Sequence, residues 1–459
     1  MREFEEKVAE LSKHWDTERL TPDLAREVGE GLKQAMTAGG QAAYRAFLAS
    51  YDLRAPTLEV EGRELRWKCA SEKTFLTGFG LMTLGRSLYQ ADAGGECYAP
   101  LDSFWGMEGE FATEEVREAV LFSVAHVTPE ETEQLLAKCA WFHPSATAIK
   151  NILQEVGDFV EGHGEELDEA IRAEETVTAG TRILAASLDG VNVLLREPGA
   201  KRGRPGERPG LDEREERPTA YKNAVVGSVS FYGEVPKDEK CPERLASRYV
   251  ARMPEQKALT VKRQFEAELA AAEAQAGPEV AKLLLLDGAR GLWTYVEENE
   301  RFDDYEKLID YFHATEHLSK AAEALFGKAA PEAHAWYNQY RGKLLDEDDA
   351  AQAILRSITY YGGVRKLPAS RRNALAQERT FFRRNKGRMT YAAFRRRGWP
   401  IGNGPVEAAC KTIVKTRLCR SGMRWSRDGG NRVLRLRSAV KSGRWESFWS
   451  HYLRLRRPA

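Results

Sequence analysis

Four leucines in succession, Leu283–Leu286, run straight into Asp287 and Gly288. A short apolar run bounded by turn residues reads as a buried strand. With no polar residue at alternate positions, such a strand is covered on both faces. The chain must therefore build a sheet with other elements packed against each side of this segment. Asp287 itself has two readings. Asp-Gly commonly opens a turn, and a carboxylate at the mouth of a rigid strand can also hold a metal ion or move a proton. The second reading requires partners from elsewhere in the chain.

The length of 459 residues suffices for about two to four domains, each with its own core. With 42% hydrophobic and 30% charged residues, the composition is that of a soluble globular protein. No apolar run approaches the roughly 20 residues that span a bilayer, and the opening "MREFEEKVAELSKHW" is too charged for a secretion signal. A cytoplasmic protein without a membrane partner is expected. The six cysteines, Cys69, Cys97, Cys139, Cys241, Cys410 and Cys419, include no CxxC pair. That argues against a disulfide framework and an intact zinc ribbon.

The formal net charge of zero conceals an asymmetry. From Arg365 to Ala459 there are 26 Lys and Arg against 4 Asp and Glu, and the rest of the chain carries the compensating acids. So one-sided a segment points to a polyanionic partner, with nucleic acid the leading candidate.

Residues 1–58 read as a helical region and 59–113 as a small β-rich region of short antiparallel strands. Residues 114–178 return to helix, with Pro144 and Ser145 a plausible helix start. "RILAASLDGVNVLLRE" reads as a strand pair around Asp189-Gly190, and "YKNAVVGSVSFYGEV" alternates as a strand. Between them, "REPGAKRGRPGERPGLDEREERP" reads as a long mobile loop. "TVKRQFEAELAAAEAQAG" reads as a helix ending at Gly277. The leucine strand follows it, and residues 328–400 read as wholly helical.

Two strand-borne Asp-Gly pairs, at Asp189 and Asp287, match the order in which an RNase H-like domain presents its first two catalytic carboxylates. A third should come from a later helix. The basic segment offers Glu378, Glu407, Asp428 and Glu446. Of these, Glu407 alone follows a glycine-rich turn able to start a helix that points its first turn back at a site.

The blocks "SLDGVNV", "YKNAVVGSVSFYGE", "LLLLDGARGLW", "IDYFHATEHL" and "GNGPVEAACKTIVKTRLCRSGMRWSRDGGNRVLRLR" together resemble the ISKra-type family of bacterial insertion-sequence DDE transposases. The resemblance runs from about residue 60 to the C-terminus. It implies an α/β, multidomain α+β protein: an RNase H-like catalytic core over 179–327 and 401–459, with an all-helical insertion over 328–400. It also implies a metal-binding catalytic triad of Asp189, Asp287 and Glu407, with two Mg²⁺ (or Mn²⁺) ions per site. In-line displacement at a phosphodiester needs charge neutralised on both the attacking and the leaving oxygen, which a pair of ions about 3.5 to 4 Å apart provides. Relatives commonly carry a cysteine-bearing ribbon before a "PLD" motif. Here Pro100-Leu101-Asp102 is kept with Cys97 alone nearby, so the 59–113 region reads as a degenerate ribbon and no zinc is expected.

Secondary candidates surround the triad. Asp310, His313 and His317, spaced by three and four, read as one helix face. That face is either a metal clamp, a support for the site, or ordinary core packing. Lys411 and Lys415, one and two turns beyond Glu407, are candidates to steer a phosphate backbone. Many DDE transposases have a basic residue seven after the glutamate, where this chain has Val414. Arg417, Arg420, Arg424 and Trp425 are further DNA-binding candidates, although a core position suits Trp425 at least as well. In the proline-glycine loop, Arg202 and Arg204 beside Lys201 and Arg208 form either a DNA-groove arm or a solvated loop. The expected activity is metal-dependent cleavage at terminal inverted repeats and strand transfer to target DNA by a homodimer or larger assembly. A nuclease without strand transfer and a domesticated DNA-binding repressor are the alternatives.

Overall fold

A computed structural model describes residues 2–13, 20–196 and 220–456. The Pro-Gly loop, with Arg202 and Arg204, lies outside the described residues. The chain forms two units, one ending at His163 and including the residues from Tyr452 onward, the other Gly164–His451.

The first unit pairs α1 (Arg2–Ser12) with α2 (Pro22–Ala49). Next come β1 (Thr57–Val60), β2 (Arg63–Thr77) and β3 (Gly80–Gln90), an antiparallel sheet in that order. Helices α3 (Pro100–Trp105), α4 (Glu114–His126), α5 (Pro129–Cys139) and α6 (Ala146–Gly162) follow. Their boundaries are set by caps. Thr128 and Glu131 make a capping box for α5, and Ser145 accepts from Ala148 N at 3.2 Å to start α6; each satisfies donors that a helix start leaves orphaned. Asp102 of the "PLD" motif is buried in α3, 3.1 Å from Arg86 and 3.4 Å from Lys73. It is a structural ion-pair centre.

The second unit begins with α7 (Gly164–Glu174) and contains β4 (Ile183–Leu194), β5 (Tyr221–Tyr232) and β6 (Arg244–Arg252). After α8 (Leu259–Ala276) come β7 (Ala281–Leu286), α9 (Arg290–Glu297), β8 (Glu306–Ile309) and α10 (Tyr311–Phe326). The strand order is β6-β5-β4-β7-β8. β4, β5 and β6 form an antiparallel meander, while β7 and β8 add to the other edge in parallel. The leucine run is β7, and Leu283, Leu284, Leu285 and Leu286 are at most 1% exposed. Each buried leucine contributes roughly 1.5–3 kcal/mol. α8 packs on β4, β5 and β6 through Val261, Phe265, Leu269 and Ala272, recurring at helical spacing, and stops at Gly277 with φ of 80°. That positive φ suits glycine.

"RILAASLDGVNVLLRE" forms one continuous strand rather than a pair. Asp189 and Gly190 lie in register with Val226 and Val225 of β5, so no turn forms between them. Gly190 is required for a different reason: a Cβ there would collide with the Asn223 side chain on β5.

The remaining helices are α11 (Pro331–Asp346), α12 (Ala350–Val364), α13 (Ala369–Asn385), α14 (Tyr391–Arg396), α15 (Gly404–Ala409), α16 (Thr416–Leu418), α17 (Arg427–Lys441) and α18 (Trp445–Arg456). α13 packs on α10. Between α15 and α16 the chain winds through a π-helical segment, Cys410–Lys415. Such segments are rare and often fall at functional sites. The buried Arg437 side chain of α17 serves this one, its Nε donating to Ile413 O at 2.7 Å and its Nη2 to Thr412 O. Among the described residues, no helix is long and apolar enough to cross a membrane.

Candidate active site

β4 and β7 run parallel, with Ala186 opposite Leu284. Asp189 lies three residues beyond Ala186 on β4 and Asp287 three beyond Leu284, past the last paired residues of the ladder, and the Asp189 charge bears on the Asp287 carboxyl. Asp287 stands one residue beyond the end of β7 and does open a turn: its Oδ1 accepts from Ala289 N at 2.9 Å, and its carbonyl accepts from Trp293 Nε1 at 2.7 Å. Turn and site readings are therefore compatible. Burial pushes the Asp287 carboxyl above the ordinary carboxylate range; the Ala289 N–H and His313 oppose that shift, and the Asp189 charge adds to it.

Glu407 lies in the first turn of α15, half-buried. Desolvation raises its carboxyl too. Asp310 and Asp189 push it further up, and Lys411 pulls it back. Asp189 thus bears electrostatically on both Asp287 and Glu407. Cys410, one residue into the π segment and buried, donates from Sγ to Asp189 Oδ2 at 3.4 Å. Burial followed by the Asp189 charge pushes its thiol far above the usual range, which makes it a neutral donor to that carboxylate.

Asp310 departs from the shared-face expectation. It is the N-cap of α10, fully buried, with Oδ1 accepting from His313 N at 2.7 Å and Oδ2 from Asn403 N at 2.7 Å. As the N-cap it precedes the helix, so it lies off the face that carries His313 and His317 and ties the start of α10 to the turn before α15. The two histidines do share a face of α10, with ring centroids 4.9 Å apart. His317 stacks on Phe381 at 3.6 Å and meets Glu378 through Nδ1 at 2.6 Å. His313 and Phe381 close over Gly288 so tightly that a Cβ there would collide. Burial lowers the His313 pKa, and the neighbouring His317 lowers it further. Glu378, considered from sequence as a third carboxylate, is instead the partner that anchors α13 behind the site.

Among the basic candidates, Lys411, Lys415, Arg420 and Arg424 are exposed. Arg417 is 1% exposed, its guanidinium 5.1 Å from the Trp425 ring centroid, and so it cannot reach a DNA backbone. It faces inward because it stacks on that aromatic. Trp425 is half-buried and donates from Nε1 to Leu418 O at 3.0 Å, while its backbone bridges to Leu195 at the end of β4. Its role in the fold is to close that strand end.

The basic segment is also less free than its composition implies. Arg435 pairs bidentately with Asp168, Arg444 with Glu175 and Glu268, Arg395 with Asp346, Arg396 with Asp348, Arg397 with Glu306 and Arg388 with Glu297. Part of the charge asymmetry along the sequence is internal complementarity between basic and acidic residues of one unit.

Among the described residues, no three His, Cys, Asp or Glu side chains stand close enough to form a metal cage by themselves. The donor set of Asp189, Asp287 and Glu407 is nevertheless all-oxygen, suited to a hard cation. Mg²⁺ is usually held by one or two carboxylates with waters and substrate phosphates, not by a dedicated protein cage. The residues fit such an ion. Sequence reasoning missed Asn403, Cys410 and Arg437; the glycines flanking Asn403 were noticed, but nothing in the pattern marks the residue between them as buried.

No protein-family model matches the chain, and no curated protein matches it. Among solved structures, the Drosophila P element transposase strand transfer complex is similar at 12% identity with a TM-score of 0.24, over 75% of this chain and 80% of that one. So distant a likeness carries no weight here, and the site stands on its own geometry.

Proposed function

We propose that this chain is a DDE transposase of the ISKra type, built on an RNase H-like core, that cleaves and joins DNA ends with divalent metal ions. The observation that carries the reading is the placement of Asp189 on β4 and of Asp287 just past the end of the adjacent parallel strand β7, with the Asp189 charge bearing on both Asp287 and Glu407. The strand order supports the core: a three-strand antiparallel meander with two parallel strands added beside its first strand.

In this reading Asp189, Asp287 and Glu407 would hold two Mg²⁺ ions, which when bound would supply charge neutralisation for phosphodiester displacement. The chain's own residues fix where that happens. β4 and β7 hold two carboxylates rigidly, α15 delivers the third, and Lys411 and Lys415 draw the phosphate backbone toward the acids. Two element ends must be brought together for joining, so a dimer or larger assembly acts.

The test is to incubate the protein with labelled element-end duplex and Mg²⁺ or Mn²⁺, beside Asp287→Ala. Divalent-dependent nicking and joined product from the wild type alone are expected. Absence of metal-dependent cleavage refutes the reading, and cleavage without joined product reassigns the chain as a nuclease.

A further inference from the structure

A continuous hydrogen-bonded track links the strand that ends at Asp287 to the helix that carries Glu407. Asp310 N donates to Leu286 O at 2.8 Å, immediately before Asp287. Tyr311 N donates to Ile401 O at 3.0 Å, tying the start of α10 to the turn that precedes α15. Asp310 Oδ2 accepts from Asn403 N at 2.7 Å, and Glu407 N donates to Asn403 O at 3.3 Å. Asn403 is 3% exposed. Its side-chain amide lies between two carboxylates, which fixes its orientation: a carbonyl oxygen turned toward two acids would be repelled by both. With nitrogen facing them, the amide donates to Asp310 Oδ2 at 3.0 Å and Glu407 Oε1 at 3.1 Å.

We propose that Asn403 is a positioning residue whose amide fixes the Glu407 carboxylate against the buried Asp310. The inference rests on the proposed role of Glu407 and adds a residue to it. A neutral double donor is what this place requires. Asp310 raises the cost of ionising Glu407, and an amide between them satisfies one oxygen of each without adding charge. A hydrogen bond to a charged acceptor is stronger than a neutral one, and removing a residue that orients a metal-binding carboxylate typically costs about 10–100-fold in metal affinity or activity. Asn403 reaches only one oxygen of Glu407 in this way, leaving the second carboxylate oxygen for a ligand.

The experiment compares wild type, Asn403→Ala, Asn403→Ser and Glu407→Gln. Three quantities are read: calorimetric Mn²⁺ affinity, the melting temperature without metal, and the Mg²⁺ dependence and kcat against KM for cleavage of element-end duplex. Asn403→Ala is expected to weaken Mn²⁺ binding by about tenfold or more and lower kcat with KM for DNA little changed. Raised Mg²⁺ should partly restore kcat, and Asn403→Ser, which keeps a small donor, should fall in between. Should Asn403→Ala unfold, the comparison is made on Asn403→Ser. Wild-type Mn²⁺ affinity and kcat in a folded Asn403 variant overturn the proposal. A loss in KM for DNA alone also overturns it, because the residue would then act on DNA and not on Glu407. If the wild type neither binds Mn²⁺ at Glu407 nor cleaves, the functional reading itself fails, an outcome separable from the first two.

Discussion

Replacing Asp287 with asparagine should make the metal-free protein more stable while removing its response to Mg²⁺. The substitution is nearly isosteric, and its carbonyl oxygen can still accept from Ala289 N, as Asp287 Oδ1 does at 2.9 Å. What is lost is a charge that the fold disfavours through burial and through Asp189 on the adjacent strand. For scale, two unit charges about 5 Å apart would repel by about 3 kcal/mol at an effective dielectric of 20 and about 0.8 kcal/mol in bulk water, and a wider separation lowers both. Asp287 is partly exposed, so a gain of about 1–2 kcal/mol is expected, or about 2–8 °C in melting temperature for a unit of this size.

The pH dependence has a definite sign. A carboxyl whose folded-state pKa is raised favours folding below the ordinary carboxylate range, and that contribution is lost as pH rises through its raised value. The stability gap between Asp287→Asn and wild type is therefore wide near neutral pH and closes on acidification below the ordinary carboxylate range, where both side chains are neutral. Adding Mg²⁺ to 100 times its Kd should stabilise the wild type by about 2.7 kcal/mol and the variant far less. Thermal melts by circular dichroism from neutral pH to below the ordinary carboxylate range, and with and without Mg²⁺ at neutral pH, read all three effects. A folded variant that melts at or below wild type at neutral pH without metal would refute the picture of mutually repelling acids.

Three other perturbations test separate parts of the structure. Arg444→Met should cost about 1–3 kcal/mol, because it strips Glu268, 3% exposed, of its closest cation and leaves it only Arg172 at 3.4 Å, while Glu175 keeps Arg248 at 3.3 Å; chemical denaturation should show Arg444→Met with Glu268→Gln recovering part of that loss. Lys411→Ala and Lys415→Ala should each lower the slope of log K against log salt for DNA binding by about 1, whereas Arg417→Ala should lower stability and leave that slope unchanged in a salt titration. Leu284→Ala in the centre of β7 should cost about 2–5 kcal/mol by cavity formation, measured by urea unfolding.

Some of this was legible because its cause is local. Leu283–Leu286 carries no polar alternate and is buried on both faces. Gly277 ends α8 where a positive φ is needed, and Ser145 starts α6 with its side chain. The error at Asp189-Gly190 has an equally local origin: the dipeptide is a common turn former, and only the ladder to β5, made by residues more than thirty positions away, keeps it extended. Spacing also misled at Asp310, since three- and four-residue intervals place it with His313 and His317 only if it is already helical. As the N-cap it lies outside the helix and turns its carboxylate to the backbone.

The net positive charge of residues 365–459 shows most clearly what composition can and cannot establish. Charge counts along a chain report where like charges accumulate, and a segment so basic must find anions somewhere. They do not say whether those anions are nucleic-acid phosphates or the acids of the preceding segment. Arg435, Arg444, Arg395, Arg396 and Arg397 are paired within the second unit, so they add little to an outward field. Lys411 and Lys415 are exposed beyond Glu407 on the continuing helical segment, where a phosphate approaching the acids would meet them. Two exposed lysines following Glu407, and not the total charge of the segment, are therefore what a DNA backbone would meet there, and the salt slopes of their alanine variants measure that contact directly.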